Sequence, residues 1–459
     1  MTQSLHGNAG NQGNSHSLEG PPDALVIIAN RSYHYYAGSA YLGLQSHPNV
    51  LAATCEATLR YGTGTGTTRF ALTAPPVLDV EHLVAKYLGA GQTFYHGSEA
   101  LGPHILLETL DSTFDRIFVD EAADKRIFQA VKSCQSKARP VVFRHNDPDN
   151  LRLELRKHLK PSERPIVMTN GVFAMTGKIA PLDRYAMVLS PIEGASLLVD
   201  DSHGFGVLGS YGHGVFEHFG VNACHINQTT QDAVEMPFGF CPEESSLGVS
   251  GYADDGNGPP SYDRLMHNDF LNCNNRLKHC NCLSCDDQQG NLTESPIMGR
   301  LPVRYYHSAS LTKAIGGSGG IIAGSRLFIE RLVERSGAFG DMAAPSSPLA
   351  AGTAEGINMT FRTDELRHKL RKNTHYFKKK LSAMGLPTDS SDVPIVPITL
   401  GTAGNMRRIQ QRLSERGVLI SYIPRGPGLP TDGTLRITIF ATHTTEMLDH
   451  LVEQIEQAL

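Results

Sequence analysis

The chain has 459 residues and a net charge of −5, and 40% of its residues are hydrophobic and 19% charged, as in ordinary globular proteins. This length allows two or three domains with substantial cores. The slightly negative charge gives no basis for binding nucleic acid or an acidic membrane surface, so we expect neither as a partner. No apolar stretch approaches the roughly 18 residues of a membrane span, so none is predicted.

The first 23 residues are predicted to be a disordered tail. They are rich in Gly, Asn and Ser and lack the basic and apolar regions of a secretory signal. We therefore expect a cytoplasmic protein whose eight cysteines are mostly thiols.

Residues 24–60 are predicted to form an N-terminal arm, with a strand at 24–30 and a helix at 51–60. The loop GTGTGTTR at residues 62–69 is not a GxGxxG motif after a strand, so no dinucleotide site is predicted. Helices at 76–88, 100–110, 125–133 and 151–159 then alternate with strands at 93–97, 116–119, 140–143, 165–169 and 196–200. This alternation predicts an α/β domain, residues 61–330, with a mainly parallel sheet covered by helices.

The last of these strands ends in acidic residues. Residues 196–209 read SLLVDDSHGFGVLG, which places Asp200, Asp201 and His203 directly after an apolar strand. Open α/β sheets bind their ligands at the carboxyl ends of strands, so this segment is a candidate site.

The alternating pattern stops between about residues 222 and 300, which we interpret as an insertion because so long a loop is unusual in a compact domain. It contains five potential metal ligands: Cys273, His279, Cys280, Cys282 and Cys285. Their spacing matches no standard paired CxxC arrangement, so free thiols are the preferred interpretation and no metal site is predicted.

Residues 305–325 read YYHSASLTKAIGGSGGIIAGS, with Lys313 between a run of hydroxyl residues and a glycine-rich run. By itself this pattern is typical of a surface lysine before a turn. However, an amine flanked by hydroxyls and closely approaching backbone also suits a Schiff-base lysine beside a phosphate. Together with Asp200 and His203, Lys313 completes the set of residues that a pyridoxal phosphate (PLP) enzyme requires.

The remaining residues, 331–459, are predicted to form a smaller α+β domain. Its predicted helices are at 327–336, 364–384 and 445–459, and its predicted strands are at 393–400, 418–422 and 435–440.

Eight sequence blocks in order give the chain a resemblance to the α-oxoamine synthases, a branch of the fold-type I PLP enzymes. The blocks are YLGLQSHPNV, YGTGTGTTR, FRHND, GVFAMTGKIAPL, VDDSHGFGVLG, HGVFEHFG, SLTKAIGGSGG and LRITIFATHT. The resemblance runs from about residue 36 to the end except for the insertion, and the VDDSHGFGVLG block is most similar to the 8-amino-7-oxononanoate synthase branch. It implies a three-layer PLP-binding domain, a smaller C-terminal domain and a homodimer.

The resemblance also implies roles for particular residues. Lys313 would form the Schiff base and move the Cα proton, Asp200 would pair with the pyridine nitrogen, and His203 would bond the phenolic oxygen of the ring. Ser310, Gly97 and Ser98 occupy the phosphate-binding positions. Arg436 matches the arginine that holds the amino-acid carboxylate through a forked pair of hydrogen bonds.

Several active-site positions depart from the family pattern. Asp124 stands where members usually have a histidine stacked on the cofactor ring, and a carboxylate cannot stack. Asn170, Ala174 and Thr176 replace the usual Glu, Ser and Asp, and SAYLG replaces Asn-Asp-Tyr-Leu-Gly, with Ser39 and Ala40. His96 and His104 are the alternatives for a substitute ring contact.

The expected activity is PLP-dependent decarboxylative condensation of a small amino acid, such as alanine, with an acyl-CoA or acyl-carrier-protein thioester, as in biotin biosynthesis. Two alternatives stay open. One is a different PLP reaction, namely aldol cleavage or transamination, and the other is a catalytically impaired partner subunit of a related synthase.

Overall fold

A computed structural model describes residues 17–64, 66–69, 71–134, 139–228, 298, 301–337 and 344–458. Most of the predicted tail and insertion, including all five potential metal ligands of the insertion, lies outside the described residues. The domain boundaries proposed at residues 23, 60 and 330 stay predictions. No helix in the described ranges is long and apolar enough to cross a membrane.

Thirteen strands lie within the described ranges. They are β1 (Leu25–Ile28), β2 (Arg31–Tyr35), β3 (Gln92–His96), β4 (Arg116–Asp120), β5 (Val141–Phe143), β6 (Pro165–Asn170), β7 (Ser196–Asp200), β8 (Arg304–Ser310), β9 (Gly320–Gly324), β10 (Ile395–Ile398), β11 (Val418–Leu419), β12 (Ser421–Ile423) and β13 (Thr434–Thr438). Seven of them form one sheet in the order β3-β9-β8-β7-β6-β4-β5. Strands β5, β4, β6, β7 and β8 are mutually parallel, and β9 runs antiparallel to both β8 and β3.

The α-helices of the described residues are α1 (Pro48–Tyr61), α2 (Pro75–Leu88), α3 (Gly102–Leu110), α4 (Lys125–Ser133), α5 (Pro148–His158), α6 (Leu182–Leu189), α7 (Val215–His218), α8 (Arg326–Arg335), α9 (Ser347–Arg362), α10 (Glu365–Ala383), α11 (Ala403–Glu415) and α12 (Thr445–Glu456). Successive side chains along a strand point to opposite faces of the sheet and so pack against different helix layers. Thus Val119 of β4 joins the core with α3, α4 and α8, whereas Phe118 joins the core with α5 and α6. The three-layer α/β architecture predicted from the sequence is confirmed.

A smaller part contains two three-stranded sheets, β10-β13-β12 and β1-β2-β11. The first is antiparallel and packs with α10, α11 and α12 around a separate core. In the second, β11 pairs in parallel with β2, so the N-terminal strands are joined to the carboxyl-terminal part of the chain. This long-range pairing is not visible in local sequence patterns.

The sequence analysis placed Lys313 before a turn but predicted no strands in the segment around it, whereas the structure has two. The first part of the segment is β8 and its last part is β9, both buried, and only the turn between them carries the lysine. Gly316 in that turn has φ +68°, and a Cβ there would overlap the main chain of Leu44 and Gln45. The glycine therefore lets the N-terminal arm pack directly on the lysine turn. Helices α6 and α9 were also missing from the prediction.

Candidate active site

Parallel strand order brings the predicted site residues to one edge of the large sheet. Strands β6, β7 and β8 end at Asn170, Asp200 and Ser310. Strand β3 runs in the same direction as β8 and ends at His96, immediately before the Gly97-Ser98 turn. Because carboxyl ends of parallel strands meet at one edge, residues distant in sequence form one site.

Asp200 presents an unpartnered carboxylate oxygen. Its Oδ1 accepts hydrogen bonds from the Ser202 amide (3.0 Å) and hydroxyl (2.5 Å). Its Oδ2 is buried and has no hydrogen-bond partner among the described residues, although Arg126 Nη2 lies 3.8 Å away. A buried carboxylate oxygen without a partner is costly unless a ligand supplies one. This arrangement fits the role expected of Asp200, pairing with a protonated ring nitrogen.

The neighbouring Asp201 has a different environment. Its Oδ2 accepts a hydrogen bond from the Val215 amide (2.6 Å) and lies 3.6 Å from His307 Nε2. Its Oδ1 is also unpartnered, but Gly171 and Gly204 pack so closely on it that even a Cβ would overlap it. Asp201 therefore holds the main chain, and of the two acids only Asp200 offers an acceptor to a ligand.

Lys313 is buried, and its Nζ donates a hydrogen bond to Glu99 Oε2 over 2.7 Å. Burial lowers the pKa of the Lys313 ammonium, and the negative charge of Glu99 offsets part of that effect. A lysine with a lowered pKa is more easily converted to the neutral amine that acts as nucleophile or base.

Glu99 is a site residue that the sequence analysis missed. Its carboxylate accepts hydrogen bonds from Ser310, which occupies a predicted phosphate-binding position, from Thr312, and from Lys313, the predicted Schiff-base lysine. Burial alone would raise the pKa of Glu99, but the charge of Lys313 and these hydrogen bonds outweigh it and lower the pKa to about 2. An acid directly after the Gly97-Ser98 turn was the available sequence signal.

Arg126 is the second missed residue, and it changes the interpretation of Asp124. The Asp124 carboxylate caps α4 by accepting from the Arg126 amide (2.9 Å) and also binds the Arg126 side chain (Nε to Oδ1, 2.9 Å). Although burial opposes it, this pairing lowers the pKa of Asp124. Arg126 therefore offsets the negative charge that Asp124 places at this position. The Asp124 amide is fixed by Asn170 Oδ1 at 2.7 Å.

His203 is buried, and its Nδ1 lies 2.6 Å from the Tyr41 hydroxyl. Burial, followed by the positive charges of Lys313, Arg436 and Arg126, lowers the pKa of His203 well below its usual value. The imidazole is therefore neutral at pH 7, and Tyr41 fixes its orientation. A neutral, oriented imidazole fits the predicted hydrogen bond to a phenolic oxygen.

Arg436 projects from β13 and joins three segments of the chain. Its Nε donates to the Ala174 carbonyl (2.6 Å) and its Nη1 to the Ala37 carbonyl (3.1 Å). The guanidinium also interacts with the Tyr41 phenol, whose pKa burial raises to about 12 while Arg436 acts to lower it. Part of the guanidinium is therefore committed to the main chain, a structural role that the sequence did not reveal.

The two histidines considered as substitute ring contacts occupy different environments. His104 hydrogen-bonds Ser133 Oγ through Nδ1 (2.8 Å) and pairs with Glu108 (3.1 Å). His96 is buried beneath the Gly97-Ser98 turn, where its Nδ1 lies 2.9 Å from the Ser98 carbonyl. Burial lowers the pKa of His96 to about 4, so it is neutral at pH 7. Gly97 and Ser98 themselves are exposed at the rim.

The donor set therefore fits PLP at both charged ends. Asp200 Oδ2 is a buried acceptor that has no hydrogen-bond partner in the part of the chain that the structure describes, and Ser310, Thr312 and Lys313 converge on an anionic oxygen of Glu99. A phosphate is bound by the same kinds of donors.

Comparison with known proteins gives the family. The profile "Aminotransferase class I and II" matches residues 37–229 and 303–455. The chain is 27% identical to an 8-amino-7-oxononanoate synthase from Alkaliphilus oremlandii, with 96% of this chain and 91% of the relative covered.

Solved structures agree on the fold. A serine palmitoyltransferase with a PLP internal aldimine has a TM-score of 0.71 at 20% identity, covering 95% of this chain and 89% of that one. An 8-amino-7-oxononanoate synthase from Francisella tularensis has a TM-score of 0.62 at 19% identity, covering 92% and 96%. The resemblance predicted from the sequence is confirmed: the chain belongs to the aminotransferase class I and II family and has the fold of the α-oxoamine synthases.

Proposed function

We propose that this protein is a PLP-dependent acyltransferase that condenses a small amino acid with an acyl thioester and releases carbon dioxide. The observation that carries the proposal is the convergence of Lys313, Asp200 and His203 at one sheet edge, with the Asp200 Oδ2 buried and unpartnered. The family match and the names of the full-length relatives support the reaction type.

The cofactor is pyridoxal 5′-phosphate, as the family and its structural neighbours indicate. When bound, it supplies an electron sink for the negative charge formed at the amino-acid Cα. Asp200 would hold the ring nitrogen, His203 the phenolic oxygen and Ser310 the phosphate. The turn at Gly97 and Ser98 would contribute backbone N–H donors to the phosphate.

The chain's own groups would control proton transfer and orientation. Lys313 would remove and return the proton at Cα, and its burial lowers the cost of the neutral amine. Arg436 would orient the substrate carboxylate with the guanidinium edge that its main-chain contacts leave available. His203, held by Tyr41, would keep the ring from rotating.

The finer assignment, implied by the resemblance, is alanine as the amino acid and a pimeloyl thioester as the acyl donor. Relatives named 8-amino-7-oxononanoate synthase and a biotin biosynthesis protein support it. The acyl carrier would be coenzyme A or an acyl carrier protein. We also propose a homodimer, in line with the resemblance.

Absorption spectroscopy tests cofactor and amino substrate together. Purified protein is titrated with PLP, and alanine, glycine or serine is then added. We expect a visible band that shifts with one amino acid, followed by a decarboxylated condensation product by mass spectrometry when acyl thioesters are supplied. A band that shifts without any such product would contradict the acyltransferase assignment and direct attention to aldol cleavage or transamination.

One observation favours a second candidate, a catalytically impaired partner subunit. Arg126 and Glu99 place a cation 3.8 Å from Asp200 and an anion on the phosphate donors, which opposes cofactor binding. A protein that shows no band at saturating PLP, but forms a complex with a related synthase, would support this candidate instead.

A further inference from the structure

The side chains of Glu99 and Arg126 reach the two places where the charged ends of the cofactor would bind. The Glu99 carboxylate accepts from Ser310 and from Thr312 (2.6 Å) and Lys313 (2.7 Å). The Ser310 and Thr312 hydroxyls are side-chain donors that a phosphate at this turn would use, and the Lys313 amine is the group that would form the Schiff base. The phosphate donors are therefore satisfied by a group of the chain itself.

At Asp200, where the ring nitrogen of the cofactor would bind, the chain supplies a positive charge. Arg126 Nη2 lies 3.8 Å from the unpartnered Oδ2 of Asp200, and Arg126 Nη1 lies 3.5 Å from Glu99 Oε1. Arg126 thus supplies Asp200 with a positive charge and links it to the anion on the phosphate donors. Burial alone would lower the pKa of Arg126, but Asp200, Asp124 and Glu99 together raise it, so the cation persists.

Glu99 can leave this position without disturbing the core. Its side chain is one-third exposed, and it begins a three-residue 3-10 turn, Glu99–Leu101, directly after the exposed Gly97 and Ser98. Rotation into solvent would free the donors at the cost of a partly solvated ion pair. Because Lys313 is buried, water screens this pair only on the Glu99 side, so Glu99 would leave when an anionic ligand takes its place.

We propose that Glu99 is an internal competitor for the phosphate subsite, so that the cofactor binds only when the Glu99 carboxylate leaves Ser310, Thr312 and Lys313. Glu99 is then the residue that sets how tightly this chain retains its cofactor. Two anions cannot share these donors, because their repulsion in a partly buried site is strong. The inference rests on the cofactor assignment of the proposed function.

The experiment compares two ligands that differ only in the phosphate. The full-length protein, freed of cofactor, is titrated with PLP and with pyridoxal, and binding is followed by absorbance and by quenching of tyrosine fluorescence. Glu99→Gln removes the charge and keeps the shape. Glu108→Gln is the matched control, since Glu108 lies nine positions further on at the surface and pairs with His104.

We expect Glu99→Gln to tighten PLP binding at least tenfold and to change pyridoxal binding less than threefold, with no effect of Glu108→Gln on either. An equal increase in affinity for PLP and for pyridoxal would overturn the inference. The effect would then not depend on the phosphate and would act through Lys313 alone. Weaker PLP binding by Glu99→Gln would also overturn it. Glu99→Ala, with thermal unfolding of each variant, provides the same comparison if Glu99→Gln folds poorly.

The same measurements separate this inference from the proposed function. If neither the wild-type protein nor Glu99→Gln binds PLP, both fail. If the wild-type protein binds PLP as tightly as Glu99→Gln does, only the inference fails. If Glu99→Gln binds PLP more tightly but no amino acid and thioester yield a condensation product, the inference stands and the proposed function fails.

Discussion

The most informative substitution is Asp200→Asn, compared with Asp201→Asn at the adjacent position. Asparagine can still accept from Ser202 through Oδ1, so the turn after β7 is retained while the negative charge is removed. Opposite charges about 4 Å apart attract by about 4 kcal/mol at an effective dielectric constant of 20. Arg126 Nη2, 3.8 Å from Asp200 Oδ2, already offsets part of the negative charge. We therefore expect Asp200→Asn to weaken the free energy of PLP binding by about 2–4 kcal/mol.

That loss corresponds to PLP binding weakened by about 30-fold to 1,000-fold. The assay is a PLP titration followed by the visible band, with urea unfolding of the cofactor-free protein as a control. Asp201→Asn weakens the bond to the Val215 amide and the contact with His307, so it should lower the free energy of unfolding by about 1–3 kcal/mol with little effect on PLP affinity. Asp200→Asn with PLP affinity within threefold of wild type would refute the reasoning.

The remaining predictions concern the aldehyde-binding lysine, the guanidinium, the helix cap and buried histidines. Lys313→Ala should retain no cofactor after borohydride reduction and denaturation, whereas the wild-type protein should retain it; retention by the variant would contradict the assignment. Arg436→Lys should lower the free energy of unfolding by about 2–4 kcal/mol, because lysine cannot make the forked bonds to two backbone carbonyls, and unchanged urea midpoints would argue against this role. Asp124→Ala should lower the free energy of unfolding by about 1 kcal/mol more than Asp124→Asn in thermal unfolding, because both variants lose the charge pair with Arg126 but only alanine also loses the α4 cap. The pKa values of His96 and His443 are lowered to about 4, chiefly by burial, so the unfolded chain binds more protons below pH 6.5 and stability should fall from pH 6.5 towards pH 4. Equal urea midpoints at pH 7 and 4.5 would contradict this pH dependence.

Local sequence patterns determined much of the secondary structure and the fold class. Helix α4 was predicted at its observed bounds, Lys125–Ser133, and β7 likewise at Ser196–Asp200. Helix α4 has apolar residues at helical spacing and β7 is a short apolar run that ends in acids, which is information contained in neighbouring residues. The strands on either side of Lys313 were missed because their small and hydroxyl residues resemble a loop until partner strands are present.

Some residues of the candidate site could likewise be predicted from local sequence, and others only from the tertiary structure. Lys313, Asp200 and His203 were predicted because each lies in a distinctive motif of adjacent residues. The sequence could not assign Glu99 or Arg126, which are 214 and 187 positions from Lys313, since their importance comes only from where the turn after β3 and the first turn of α4 meet the end of β8. It also could not show that Arg436 bonds main-chain carbonyls of two distant segments. Sequence fixes which residue types a motif contains, whereas charge pairing between motifs depends on distances that exist only after the sheet has formed.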